Sequence, residues 1–126
     1  MTNQDLIHEA KIAMKFAYVP YSKFQVGAAL LTKSGKVYRG CNIENASFGA
    51  TNCAERTAIF KAISEGEMEF DKIAVVSSSN EHTYPCGICR QVLGEFMHEG
   101  EAIFDNGKEI LVLKVSELLP YKFNLL

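Results

Sequence analysis

The stretch from Phe24 to Thr32, Phe-Gln-Val-Gly-Ala-Ala-Leu-Leu-Thr, constrains this chain more than any other. Alternate residues of a strand face opposite ways. Here both sets, Phe24, Val26, Ala28, Leu30 and Gly27, Ala29, Leu31, are mostly apolar, so the strand needs cover on both sides. The rest of the pattern supplies helices to do so. Leu6, Ala10, Ala13, Met14 and Ala17 recur at helical spacing, Thr2 with Asp5 resembles a capping box, and Pro20 ends the segment. Lys33-Ser34-Gly35-Lys36 signals a hairpin turn, with Val37 to Glu44 as the returning strand. Asn52 to Ile63 reads as a helix that is apolar around most of its circumference, hence largely buried. Lys72 to Ser77 is a β-branched strand. Pro85 then opens a helix to about Met97, in the first turn, where a missing N–H costs nothing. Ala102 to Phe104 and Ile110 to Val115 are short strands, and Ser116 to Leu119 is a last helical turn. This order predicts a single domain over residues 1–126, a three-layer α/β/α architecture around a mixed sheet of about five strands.

Charge narrows the function. Lys and Arg number 13 against 15 Asp and Glu, a net charge of −2. Such a chain has no basic field to hold nucleic acid or an anionic membrane, which disfavours RNA binding or editing. Apolar runs such as Val26 to Leu31 are too short to span a bilayer. Met1 to Asp5 lacks the charged-then-apolar layout of an export signal. Four cysteines without such a signal read as reduced thiols around a candidate metal rather than a disulfide framework, so the expected compartment is the cytoplasm.

The cysteines stand where chemistry is expected. Cys86-Gly87-Ile88-Cys89 begins one predicted helix and Cys53 begins another. Helix N-termini stabilise thiolates through the dipole and free N–H groups. Two such ends converging would hold three thiolates around Zn²⁺, and a zinc with three protein ligands keeps an open fourth position, the mark of a catalytic site. Glu55, two residues after Cys53, is close enough to reach that position without being a ligand. Plainer readings exist for each part. A lone C-x-x-C also suits thiol–disulfide exchange. Glu55 alone would serve as the N3 partner of an Asn52 N-cap, and Cys53 alone as a small core residue. A four-thiolate structural zinc would need Cys41, which alternates with Val37, Arg39 and Ile43 and reads as core. The conjunction Cys-Ala-Glu with Pro-Cys-x-x-Cys is far more specific than its parts.

With Pro20-Tyr21-Ser22-Lys23-Phe24, Gly40-Cys41-Asn42-Ile43-Glu44-Asn45, Cys53-Ala54-Glu55-Arg56 and Pro85-Cys86-Gly87-Ile88-Cys89-Arg90-Gln91, the chain resembles the small, homotetrameric, zinc-dependent cytidine deaminases along nearly its whole length. The resemblance implies zinc, one per subunit, on Cys53, Cys86 and Cys89, with Glu55 as proton shuttle. It implies that Asn42 and Glu44 hold the ribose hydroxyls, that Phe24 and Ala54 contact the pyrimidine, and that Arg56 supports the thiolates. Phe123 is the candidate for a contact to a neighbouring subunit's base. On a strand, Asn42 and Glu44 share a face, away from Cys41 and Ile43, and a carboxylate beside an amide suits a vicinal diol. That pair argues against the runner-up, a deaminase of another aminopyrimidine nucleoside of the blasticidin type. Phe48 stands where similar proteins often carry Tyr. Three thiolates leave zinc with a net charge of −1, and Arg56 with the two helix ends is the available counterweight.

Overall fold

The computed structural model describes residues 1–125. Helix α1 (Asn3–Met14) is followed by strands β1 (Val26–Thr32) and β2 (Val37–Cys41), helix α2 (Ala54–Ser64) and strand β3 (Phe70–Ser77). Helix α3 (Gly87–Met97), strands β4 (Glu101–Asp105) and β5 (Ile110–Lys114) and the short α4 (Val115–Leu118) complete the order. The five strands form one mixed sheet in the order β2-β1-β3-β4-β5. Only the β3–β4 pair is parallel.

The two-faced strand sits inside this sheet, between β2 and β3. Ala29 and Leu31 of β1 join Ala74, Val76 and Ile103 beneath Leu6, Ile7 and Ala10 of α1. Val26, Ala28 and Leu30 join Ile73, Val75 and Phe104 on the opposite face, against α2, α3 and α4. Two glycines mark where helices touch the sheet. A Cβ on Gly27 would lie 2.1 Å from the Ala10 carbonyl oxygen, and one on Gly40 2.4 Å from that of Ala54. Backbone therefore packs on backbone there, and Gly40 sets the depth at which α2 begins.

Element ends differ from the expected ones, each for a visible reason. Helix α1 keeps its Thr2–Asp5 capping box but ends at Met14, so Ala17 lies beyond it. The chain then turns tightly, Phe16 and Ala17 donating to carbonyls three residues back, until Tyr18 N–H reaches the Asn42 carbonyl. Strand β1 begins at Val26, not Phe24, because the Asn42 side chain takes the ladder's place: its Oδ1 accepts from Val26 N–H and its Nδ2 donates to the Phe24 carbonyl. Strand β2 ends at Cys41, and Ile43 continues only as isolated bridges to Tyr18 and Asn52. Cys41 is half-buried, not core. Strand β2 is the sheet edge, so helix cover there is incomplete, and Cys41 borders an apolar hollow with Phe16 and the exposed Ile43.

Candidate active site

Helices α2 and α3 begin at neighbouring points, and their caps are cysteines. The N-cap of α2 is Cys53 rather than Asn52, whose amide instead donates to Thr57 Oγ1. The N-cap of α3 is Cys86, with Pro85 outside the helix rather than in its first turn. Neither cysteine makes a side-chain capping bond, which leaves both sulfurs free for another partner.

The sulfurs of Cys53, Cys86 and Cys89 lie within 4.8 Å of one another, and Cys53 Sγ is 3.7 Å from Cys86 Sγ. A disulfide would need about 2.05 Å. Tetrahedral zinc with Zn–S near 2.3 Å holds its sulfurs about 3.8 Å apart, so the donor set fits that ion in both chemistry and spacing. Hydrogen bonds from Cys89 first, then from Arg56 and Cys86, pull the Cys53 thiol down to about 5. Cys89 moves the opposite way, pushed up by its bond to Cys53 and by burial, so the pair loses its first proton readily and holds the second until a cation such as zinc displaces it. Arg56 Nη2 donates to Cys53 Sγ at 3.3 Å. Its guanidinium turns to the sulfurs instead of to solvent.

Glu55 is 4% exposed. With Cys53 as N-cap it occupies the second helical position, so the Asn52–Glu55 capping pair does not form. Burial first, then the nearby Cys53 charge, raises its carboxyl to about 7. A carboxyl poised near neutrality both takes and gives a proton at physiological pH.

Cys53, Cys86 and Glu55 line a cleft of about 220 Å³ that also involves Phe24, Asn42, Thr51 and Tyr84, with Cys89 and Arg56 behind its wall. A larger hollow of about 530 Å³, between α1 and the β4–β5 turn, holds His8, Lys11 and Asp105 but none of the cysteines. Phe24 is 38% exposed at the cleft, and Ala54 is fully buried beside Glu55. Glu44, also buried, turns its Oε1 to the N–H groups of Tyr21 and Ser22, at 3.0 and 3.2 Å. Asn42 and Glu44 are therefore both bonded to the segment from Tyr21 to Val26, but only Asn42 lines the cleft. Phe123 does not line this cleft. Its backbone is clasped by the Gln91 amide, and the residue is 67% exposed. Phe48 packs edge-on against Tyr21, outside the cleft. Sequence reasoning missed Thr51, Thr83 and Tyr84 as cleft residues. Tyr84 directly precedes Pro85-Cys86 and was open to notice, whereas Thr51 carries no motif signal.

Residues 1–103 match the profile described as the cytidine and deoxycytidylate deaminase zinc-binding region. The chain belongs to that deaminase family. A cytidine deaminase of Halalkalibacterium halodurans is 54% identical over 125 residues, covering 98% of this chain and 95% of that protein. One from Sporosarcina psychrophila is 49% identical over 98% of this chain and 93% of its own length. The crystal structure of cytidine deaminase from Burkholderia pseudomallei superposes with a TM-score of 0.93 at 47% identity, covering 98% of this chain and all of that one. The deaminase fold is thereby shared over 98% of this chain, and the matched region includes all three cysteines and Glu55.

Proposed function

We propose that this zinc-dependent deaminase converts cytidine and 2′-deoxycytidine to uridine and 2′-deoxyuridine, consuming water and releasing ammonia, in pyrimidine salvage. One observation carries the reading: the buried Glu55 carboxyl shares a cleft with Cys53 and Cys86 of the three-sulfur cluster, and Phe24 and Asn42 wall the same cleft. Cys53, Cys86 and Cys89 would hold the zinc, which when bound lowers the pKa of water enough to supply a nucleophile near neutral pH. Glu55 accepts the proton of the attacking water and delivers it to ring N3, which makes C4 electrophilic. Attack leaves a hydroxyl on C4; the same carboxyl takes that remaining proton and hands it to the departing amine as the C4 carbonyl forms, acting as base and acid in turn. Arg56, donating to Cys53, offsets the negative charge of the thiolates. Phe24 and Ala54 contact the base. Asn42 and Glu44 receive the ribose, their orientation fixed by bonds to the Phe24 segment. The enzyme is placed in the cytoplasm, where thiols stay reduced, and acts as a homotetramer in which Phe123 reaches a neighbour's base.

The decisive assay follows the absorbance lost when cytidine is deaminated, with cytosine and cytidylate run beside it. Turnover of cytidine and deoxycytidine but not of cytosine is the expected result. Zinc-loaded protein that leaves both nucleosides intact overturns the reading.

A further inference from the structure

Among the polar residues of the cleft that the reaction above leaves unused, Thr51 stands apart. Thr51 lines the same wall as Cys53, Ala54 and Glu55. Its Oγ1 is buried without a hydrogen-bond partner, one of only two such side-chain atoms among the described residues, the other being Arg56 Nε. Nearby hydroxyls are satisfied. Thr57 Oγ1 donates to the Cys53 carbonyl and accepts from Asn52, and the Ser77 and Thr83 hydroxyls pair with each other. The backbone around Thr51 is held as well. Thr51 N–H donates to Phe48 O at 3.0 Å, and Asn52 exchanges two 2.9 Å bonds with Ile43.

A buried hydroxyl left unpaired is a standing loss of stability that a valine of the same shape would remove. Its place beside the carboxyl and the sulfurs gives that loss a use. We infer that Thr51 is a substrate-binding residue whose hydroxyl pairs with the 2-carbonyl of the pyrimidine when the nucleoside enters. This rests on the deaminase reading above. With Glu55 on N3 and the amino-bearing carbon, the adjacent polar atom of the same ring edge is the 2-carbonyl oxygen. A hydroxyl is a suitable donor for it, and Thr51 stands on the wall that carries Glu55.

The test compares Thr51→Val, which keeps the shape and deletes the hydroxyl, with Thr51→Ser, which keeps the hydroxyl. In Thr51→Val, KM should rise about tenfold for cytidine and deoxycytidine alike, as loss of one substrate hydrogen bond commonly produces. Its ligand-free Tm should stay level or rise, while the Tm increase caused by saturating uridine shrinks. Thr51→Ser should restore most of the affinity. An unchanged KM and uridine shift in Thr51→Val overturn the inference and leave the deaminase reading intact. A loss confined to cytidine assigns the contact to the 2′-hydroxyl and equally overturns it. Failure of the parent protein to deaminate cytidine sinks the deaminase reading instead.

Discussion

At the residue scale, Glu55 and Glu44 are two buried carboxylates with opposite behaviour. Glu55 has little to stabilise its charge, and burial lifts it to about 7. Glu44 is equally hidden, yet hydrogen bonds from Ser22 first, with the Tyr21 N–H adding to them, hold it below its ordinary value. One is kept ready to exchange a proton and the other kept ionised. Replacing Glu55 by Gln keeps the shape and removes the exchange, so kcat should fall by at least about 10²–10⁴-fold. Because Glu55 is outside the sulfur cluster, metal analysis should still find one zinc per chain; near-normal turnover would reduce Glu55 to a helix-end residue. Glu44 makes a prediction about stability. A carboxyl whose pKa is depressed on folding adds stability above its unfolded value, and that contribution disappears as pH falls through the folded one. Glu44→Gln should therefore flatten the acid limb of the Tm-versus-pH curve below about pH 4.5. Parallel curves for parent and variant, merely offset, would show that Glu44 does not titrate in that range.

At the element scale, the start of α2 depends on how closely that helix approaches β2. A Cβ on Gly40 would meet the Ala54 carbonyl at 2.4 Å and the Ala58 nitrogen at 2.5 Å. These are helix backbone atoms, which cannot rotate out of the way. Gly40→Ala should accordingly cost about 1–3 kcal/mol, the usual penalty for overpacking a tight core. It should also lower kcat beyond what instability explains, because the helix it displaces carries Cys53 and Glu55. The control is Gly49→Ala, where an added Cβ meets nothing within 4 Å. If urea midpoints for the two variants agree, close approach at Gly40 is unimportant. The same elements show what was readable in advance. The apolar faces of Val26 to Thr32 dictated cover on both sides, and three layers followed. The helix starts were displaced by a residue or two because capping preference favours Asn52 and places Pro85 in the first turn, whereas Cys53 and Cys86 took the cap positions. The clustering of Cys53, Cys86 and Cys89 was legible because the motif lies at two helix starts. The clasp between Asn42, Glu44 and the segment from Tyr21 to Val26 was not. It is built from side-chain bonds to backbone groups 16 to 23 residues away, which leave no periodic trace.

At the scale of the whole molecule, one copy leaves a great deal of apolar surface uncovered. Phe60 on α2 is 44% exposed, Ile88 on α3 62%, and Phe123 and Leu125 in the tail 67% and 88%. Where exposed groups of this kind gather into a contiguous patch they mark a contact surface. A net charge of −2 offers little repulsion between copies. Light scattering should find four copies of the 14.0 kDa chain, about 56 kDa. A tetramer alone does not show that neighbours share sites, but complementation does. Phe123→Ala should raise KM about tenfold if its ring covers a neighbour's base, a typical scale for a buried aromatic contact. Glu55→Gln should be inactive in its own cleft while still offering an intact Phe123. Unfolding the two variants together and refolding them mixed forms hybrid tetramers, in which a Phe123→Ala subunit keeps a working Glu55 and borrows the ring of a Glu55→Gln neighbour. At low cytidine the mixture should then exceed the activity of its Phe123→Ala component refolded alone at the same amount. If every subunit completes its own cleft, mixing adds nothing. Activity equal to the Phe123→Ala component alone, with hybrids confirmed by native mass spectrometry, would confine each site to one chain.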